Sequence, residues 1–326
     1  MQQSATKELR IVRGDTRYTT YEHIPSYVHP LLVPNAKCFT DVDENGMVID
    51  QQILESEDWA IYYHFIHLAE GVHLDTVLPF DYALPAHVSG FTENNPAMPM
   101  RMRLRKKAVK ASPDAPEVPA DEKEFILSFH VNFNRYSLKK MSALFPAFKI
   151  IDAIGLEETR KPSHNRPFQL NFVSYHVMQR ICNCKYIGKA SDIFLERNAL
   201  DFYLTYLHFL QNKPPIMLEE SYQQQLTEIA TFVQQHPLEA VSKEALCQRF
   251  KVVPEFLEAP FEQQFLVTVE QLIEQEKMAC LFKMIAETDY SLTHIAAVSQ
   301  YSSREEMTQA FGKYYRCVVA DLRMAQ

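Results

Sequence analysis

"YSLTHIAAVSQYSSREEMTQAFGKYYR", residues 290–316, decides how the second half of this chain is read. A short amphipathic run ends near Val298, a break follows, and a second amphipathic run begins near Ser303. Ile295 and Ala296 in the first run, and Met307, Ala310, Phe311 and Tyr314 in the second, fall at helical spacing. Two short helices with facing apolar sides are therefore expected. The break contains no glycine, and the second run opens with Arg304-Glu305-Glu306, so it is not clearly basic.

Working outward, the same pattern occurs earlier. Helical periodicity predicts helices at 219–235, 242–249, 254–265, 268–287, 291–299, 303–315 and 319–324. The fourth is long and separates two similar pairs, each a short helix, a tight break and a second helix: two helix-turn-helix units joined by one helix. Upstream, "NKPPIML" (212–218) reads as a linker because consecutive prolines stop a helix. "NFVSYHVMQRICNC" and "SDIFLERNALDFYLTYLHFLQN" are helix-length and amphipathic. "SLKKMSALFPAFKIIDAI" places Leu138, Met141, Leu144 and Phe145 at helical spacing.

The first 150 residues differ. "WAIYYHFIHLAEGVHLDTVLPF" (59–80) reads as paired strands turning near Gly71, and "EFILSFHVNF" (124–133) as another strand. "MRMRLRKK" (100–107) alternates strictly, with Arg101, Arg103 and Arg105 on one face, and "VKASPDAPEVPADEK" (109–123) is a polar loop. The expected fold is α+β: a β-rich, barrel-like (cupin-like) sensor over 1–150, a helical connector and candidate dimerisation element over 151–212, a linker at 213–221, and an all-α double helix-turn-helix domain over 222–326.

Bulk properties narrow the function classes. The chain has 326 residues, 47% hydrophobic and 23% charged, enough apolar material for two cores. A net charge of -8 argues against a non-specific polyanion binder. No apolar run is long enough for a membrane span, the N-terminus lacks a signal-peptide core, and six cysteines fit a reducing compartment; a cytoplasmic protein is expected.

The last hundred residues resemble the DNA-binding domain of the AraC/XylS family of bacterial transcription regulators. Ile295-Ala296 match the family's pair in the first helix of the second unit, Tyr301 its turn aromatic, Met307 and Phe311 its two phenylalanines, and Arg323 its closing arginine. "VSKEALCQRF" (241–250) is similar to the start of the first unit, and "TVEQLIEQEKM" (268–278) to the entry of the joining helix. The strand-then-helix layout upstream resembles the sensor domains of the siderophore-responsive branch. The resemblance implies an effector-responsive, sequence-specific regulator that binds double-stranded promoter DNA, takes an unidentified small-molecule effector, and is a candidate homodimer, with no membrane partner and no cofactor. Departures are specific. Where the family has turn glycines, this chain has Lys251 and Gln300, and its late Gly and Pro are Arg316 and Val319. A residue other than glycine with positive φ costs roughly 1 kcal/mol.

In a helix-turn-helix unit the second helix enters the major groove. In the second unit, Ser303, Arg304, Thr308, Gln309 and Lys313 are the candidate DNA contacts, with Arg304 suited to guanine and Gln309 to adenine. The core positions of the two units are Leu246, Leu257, Phe261, Ile295, Ala296, Tyr301, Met307 and Phe311. In the first unit, Glu255, Glu258 and Glu262 share the face that would meet DNA, which repels phosphate, and Pro260 weakens that helix. From residue 225 there are nine Lys/Arg against fourteen Asp/Glu. This balance supports the alternative, a helix-turn-helix scaffold whose acidic face docks a basic protein partner without binding DNA.

Other candidate sites read as ordinary structure. Cys182 and Cys184 lack a companion pair for a metal. His64, His67 and His73 do not share one strand face. "SLKK" (137–140) satisfies Ser-x-x-Lys without its companion motifs. The Arg101–Arg105 face is a solvated strand face or a site for an acidic ligand. No metal, no catalytic residue and no enzyme are expected.

Overall fold

The computed structural model describes residues 7–11, 24, 29, 32–34, 36–43, 46–68, 72–76, 86–89, 101–105, 122–154, 170–211, 216–239 and 242–323. The Pro-Pro of the linker and most of the loop at 109–123 lie outside them. The chain divides into two compact units, Met1–Gln169 and Leu170–Gln326.

The first unit is built on strands β1 (Lys7–Ile11), β2 (Lys37–Asp43), β3 (Gly46–Glu55), β4 (Trp59–Leu68), β5 (Val72–Thr76), β6 (Ala86–Ser89), β7 (Arg101–Arg105) and β8 (Glu122–Phe133). Strands β2-β3-β4-β8-β6 form an antiparallel sheet, β7 also pairs with β8, and β1 and β5 form a separate parallel pair. The two strands read within 59–80 exist, but β4 pairs with β3 and β8, and β5 with β1. The reason lies in hydrophobicity: β4 is buried on both faces, as expected of a central strand. Trp59, Ile61 and Phe65 point one way with Ile49, Leu127, Phe129 and Phe133. Tyr62 and His64 point the other way with His130 and Asn132. Among the described residues the sheet is open, ending at β2 and β6, so the barrel-like closure expected from the sequence is not supported.

Helices α1 (Leu138–Leu144) and α2 (Lys149–Ile154) follow. Leu138 and Met141 are buried as the spacing predicted, but Leu144 is 53% exposed. Pro146 explains the difference. It forces Phe145 into extended backbone (φ -132, ψ 104) and ends the helix at Leu144.

The second unit is all-helical: α3 (Phe172–Cys182), α4 (Gly188–Leu210), α5 (Glu220–Gln235), α6 (Lys243–Phe250), α7 (Pro254–Phe265), α8 (Val269–Glu287), α9 (Leu292–Val298), α10 (Arg304–Tyr315) and α11 (Ala320–Arg323). From α5 onward the boundaries agree with the sequence reading to within a residue or two. Hydroxyl N-caps start four of these helices: Ser242, Thr268, Ser291 and Ser303 each accept a hydrogen bond from a first-turn amide. Helix α7 runs unbroken through Pro260, held by the fully buried Leu257, Phe261 and Phe265 on one stripe.

The reversals carry a conformational cost. Lys251 (φ +55) ends α6 and Gln300 (φ +60) follows α9, and Leu266 (φ +60) and Arg316 (φ +55) end α7 and α10. After α9, the Tyr301 amide donates to the Ala296 carbonyl at 2.9 Å and the Gln300 amide to Ala297 at 3.1 Å, a Schellman turn with Gln300 at its left-handed position. After α6, the Val252 amide reaches the Cys247 carbonyl at 3.0 Å in the same way.

Lys251 is exposed. Lys251→Gly is therefore expected to raise the free energy of unfolding by about 0.5–1 kcal/mol, the left-handed strain relieved less the extra freedom of an unfolded glycine. Urea denaturation measures this, and a lowered midpoint would show that the lysine side chain stabilises the turn.

Candidate functional site

Helix α10 presents most of the residues singled out as contacts. Arg304, Glu305, Gln309 and Lys313 are exposed, and Ser303 and Thr308 are half-buried. At 3.6 residues per turn, Glu305, Gln309 and Lys313 succeed one another at i, i+4 and i+8 and form the outward ridge. Arg304, Thr308 and Gly312 form a parallel row on its flank, and Arg304 stands about 140° round the helix from Gln309. The flank row, together with Glu305 and Gln309 of the ridge, lines a concavity of about 650 Å³ whose other wall includes Cys317, Val318 and Arg323.

Two side chains are already committed. The Ser303 hydroxyl accepts from the Glu306 amide at 3.0 Å, and the Thr308 hydroxyl donates to the Glu305 carbonyl at 3.0 Å. Glu306 turns back from the ridge. Its carboxylate accepts from the Ser302 hydroxyl and from the Ser302 amide, and these bonds hold it below the usual carboxylate range. Tyr301, half-buried beneath the turn, is capped by Lys277, whose ammonium lies 4.0 Å from the ring centroid. Burial pulls the Lys277 pKa down. Ile295, Ala296, Met307 and Phe311 are buried.

The first pair differs. Leu246, Leu257 and Phe261 are buried, but the outward side of α7 shows Glu255 and Glu258 to solvent, with Glu262 half-buried. Glu258 pairs with Lys243, whose ammonium is also 3.6 Å from Glu270. Part of the acidic face is thus neutralised from α6. Lys251 sits at the turn, where the Gln225 amide caps the preceding Phe250 carbonyl at 2.8 Å.

The remaining candidates resolve into structure. His64 and His67 lie on opposite faces of β4, and His73 is on β5. What comes together is His64 with Asp50, at 3.3 Å, and with His130, ring to ring at 4.9 Å. No group of His, Cys, Asp and Glu able to hold a metal occurs among the described residues. Burial pushes the Cys182 thiol up to about 12 and also raises Cys184, so both stay protonated. Ser137 is buried and Lys140 pairs with Asp58 at 2.9 Å, which accounts for Ser-x-x-Lys. The side chains of β7 lie outside the described residues.

Sequence reasoning missed a set of buried charges that join α3 and α4 to both helix pairs. Arg197 grips Asp201 one turn on (2.6 and 3.3 Å), donates to the Tyr314 carbonyl at 3.2 Å, and lies 3.4 Å from the Tyr314 ring centroid. The Tyr314 hydroxyl donates to Asp201 at 2.8 Å. Asp201 is 2% exposed. On α3, Arg180 reaches Glu276 of α8 at 3.3 Å, with His176 at 3.6 Å. Burial alone would raise the Glu276 carboxyl, but Arg180 and His176 hold it below the usual range. Near the end of α4, the His208 ring lies 2.7 Å from the Leu266 carbonyl. The i, i+4 spacing of Arg197 and Asp201 was visible in the sequence; their partner Tyr314, more than a hundred residues on, was not.

No protein-family profile and no curated protein matches the chain. Among solved structures, the C-terminal domain of AraT, a response regulator from Geobacillus stearothermophilus, aligns at 16% identity over 31% of this chain and 85% of that one, with a TM-score of 0.30. The xylose-binding transcription activator XylR aligns at 14% identity over 44% of this chain and 43% of its own, with a TM-score of 0.29. ToxT from Vibrio cholerae aligns at 10% identity over 88% and 97%, with a TM-score of 0.27.

Arg197→Met leaves Asp201 buried without its cation and is expected to lower stability by about 3–5 kcal/mol. Tyr314→Phe removes one bond to a charged acceptor and should cost about 1.5–3 kcal/mol. Losses under about 0.5 kcal/mol in denaturant titrations would refute the clamp. Glu276 is ionised in the fold at a pKa below its unfolded value, so its contribution is present above the ordinary Glu value of about 4.3 and is lost as pH falls through the lower folded value. Glu276→Gln should therefore flatten the acid limb of a melting-temperature profile below about pH 4.3, leaving its slope near neutrality unchanged.

Proposed function

We propose that this chain is a transcription regulator of the AraC/XylS type, binding promoter DNA sequence-specifically under control of a small-molecule effector. On this reading α6–α7 and α9–α10 are helix-turn-helix units, and the strand-rich first unit is the sensor. One observation carries the proposal. Two short-helix, left-handed-turn, second-helix pairs are joined by the single helix α8, and the outer helix α10 leaves Gln309 and Lys313 on a solvent-facing ridge.

The two units contribute unequally. Helix α10 reads bases: Gln309 has the amide that pairs with adenine, and Lys313 follows one turn later. Helix α7, with Glu255 and Glu258 outward, makes little contact with phosphate. That acidic face is also what favours the second reading, a docking scaffold for a basic protein. The effector and a homodimer belong to the regulator reading, and a thermal-shift screen of small acids together with sedimentation would address them.

Binding to promoter fragments over a salt series separates the two readings. A regulator should show log affinity falling steeply with log salt and a preferred sequence. Gln309→Ala should cost about 1–3 kcal/mol at one base position and relax preference there. A flat salt profile with no preferred sequence, together with loss of protein partners on reversing Glu255 and Glu258, would establish the scaffold reading instead.

A further inference from the structure

The flank of α10 has a shape and charge that the ridge lacks. Arg316, in the left-handed region, ends α10, and Cys317, Val318, Val319 and Ala320 after it line a concavity with residues of that helix. They pass so close that a Cβ on Gly312 would lie 3.1 Å from the Cys317 carbonyl, so glycine is what admits this approach. The result is the concavity of about 650 Å³ with Arg304 on one wall and Arg323 on the other. The Arg323 guanidinium is fixed by donating to the Tyr290 carbonyl. Arg304 is exposed and makes no hydrogen bond or ion pair among the described residues. Glu305 is the one carboxylate in the lining, against two guanidinium groups.

We infer that this trough seats the sugar-phosphate backbone of double-stranded DNA, with Arg304 and Arg323 as phosphate contacts. The inference rests on the DNA-binding reading and reassigns Arg304, which the sequence alone suited to guanine. When the Gln309–Lys313 ridge lies in the major groove, a side chain about 140° away from Gln309 faces the wall of that groove and not the base edges. A planar guanidinium with nothing bound to it matches a phosphate bidentately. The Thr308 hydroxyl is spent on the helix, which leaves Gln309 as the lining residue able to read a base beside the two arginines.

The test is a salt series on the full chain and its Arg304→Ala, Arg304→Lys and Arg323→Ala forms. Each is measured on a duplex selected by the wild type and on a random-sequence duplex. Arg304→Ala should weaken binding to both duplexes by the same factor and reduce the magnitude of the log–log slope by about 0.9. Arg304→Lys should keep the slope, and base preference should match the wild type in both. Arg323→Ala should lower the slope likewise, with thermal melting separating loss of its Tyr290 anchor from loss of the phosphate. Two outcomes overturn the inference alone: a changed base preference in Arg304→Ala, which makes it a base reader, or an unchanged slope on both duplexes. A wild type that binds neither duplex overturns this inference together with the DNA-binding reading.

Discussion

A residue in the left-handed region lets a helix be turned back on itself within a few residues. Among the described residues this happens four times without glycine, at Lys251, Leu266, Gln300 and Arg316. Four reversals in the last hundred residues depend on it: the turn inside each helix pair, the entry to α8, and the exit from α10. The local cost, roughly 1 kcal/mol at each site, is offset by what the reversal lets meet. Around the first pair, Leu226, Leu246, Leu257, Phe261 and Leu272 pack into one cluster. Around the second, Phe282 stacks with Phe311 and tilts against Tyr315. Several fully buried side chains, each contributing about 1.5–3 kcal/mol, outweigh one strained residue.

Helix α8, with 19 residues and a span of about 28 Å, is the first of the links between the pairs. The second is the α3–α4 hairpin. It contributes Val173 to the first pair's core and holds α10 through Arg197, Asp201 and Tyr314. Tyr186 and Phe194 flank Phe282 of α8 at 4.9 and 5.1 Å, so apolar and ionic contacts coincide. A single helix leaves two domains free to pivot about its ends, whereas a second tether closes the frame. Buried ion pairs add little net stability compared with apolar packing, but breaking one is costly, and that suits a part whose job is to fix geometry.

Charge and shape divide labour on the surface. The acid surplus of the C-terminal hundred residues suggests a poor DNA binder, yet its distribution is uneven. Glu306 is drawn back onto Ser302, Glu258 onto Lys243, Glu276 onto Arg180 and Glu287 onto Lys185 and Tyr186. What faces solvent along α10 is closer to balanced than the composition is. Net charge governs long-range steering, but contact is decided by which groups remain uncommitted at the surface.

The sequence by itself determined the helices, the pairs and the core stripe, because these follow from period 3.6 and from local capping: Ile295, Ala296, Met307 and Phe311 could face only one way once the run was helical. Lys251 and Gln300 were marked as turn positions only by the family resemblance, as the places of its turn glycines. Strand existence was equally legible in 59–68 and 124–133, but strand partners were not, since pairing depends on which hydrophobic faces are left to cover, and β4 found β3 and β8 in preference to β5. Only the tertiary structure decided the rest. Asp201 needs Tyr314, and the close approach of the Cys317 carbonyl needs Gly312. Each of these is a relation set by how the folded chain packs, across a hundred residues in one case and across a reversal in the other, and a linear pattern of residue types carries neither distance.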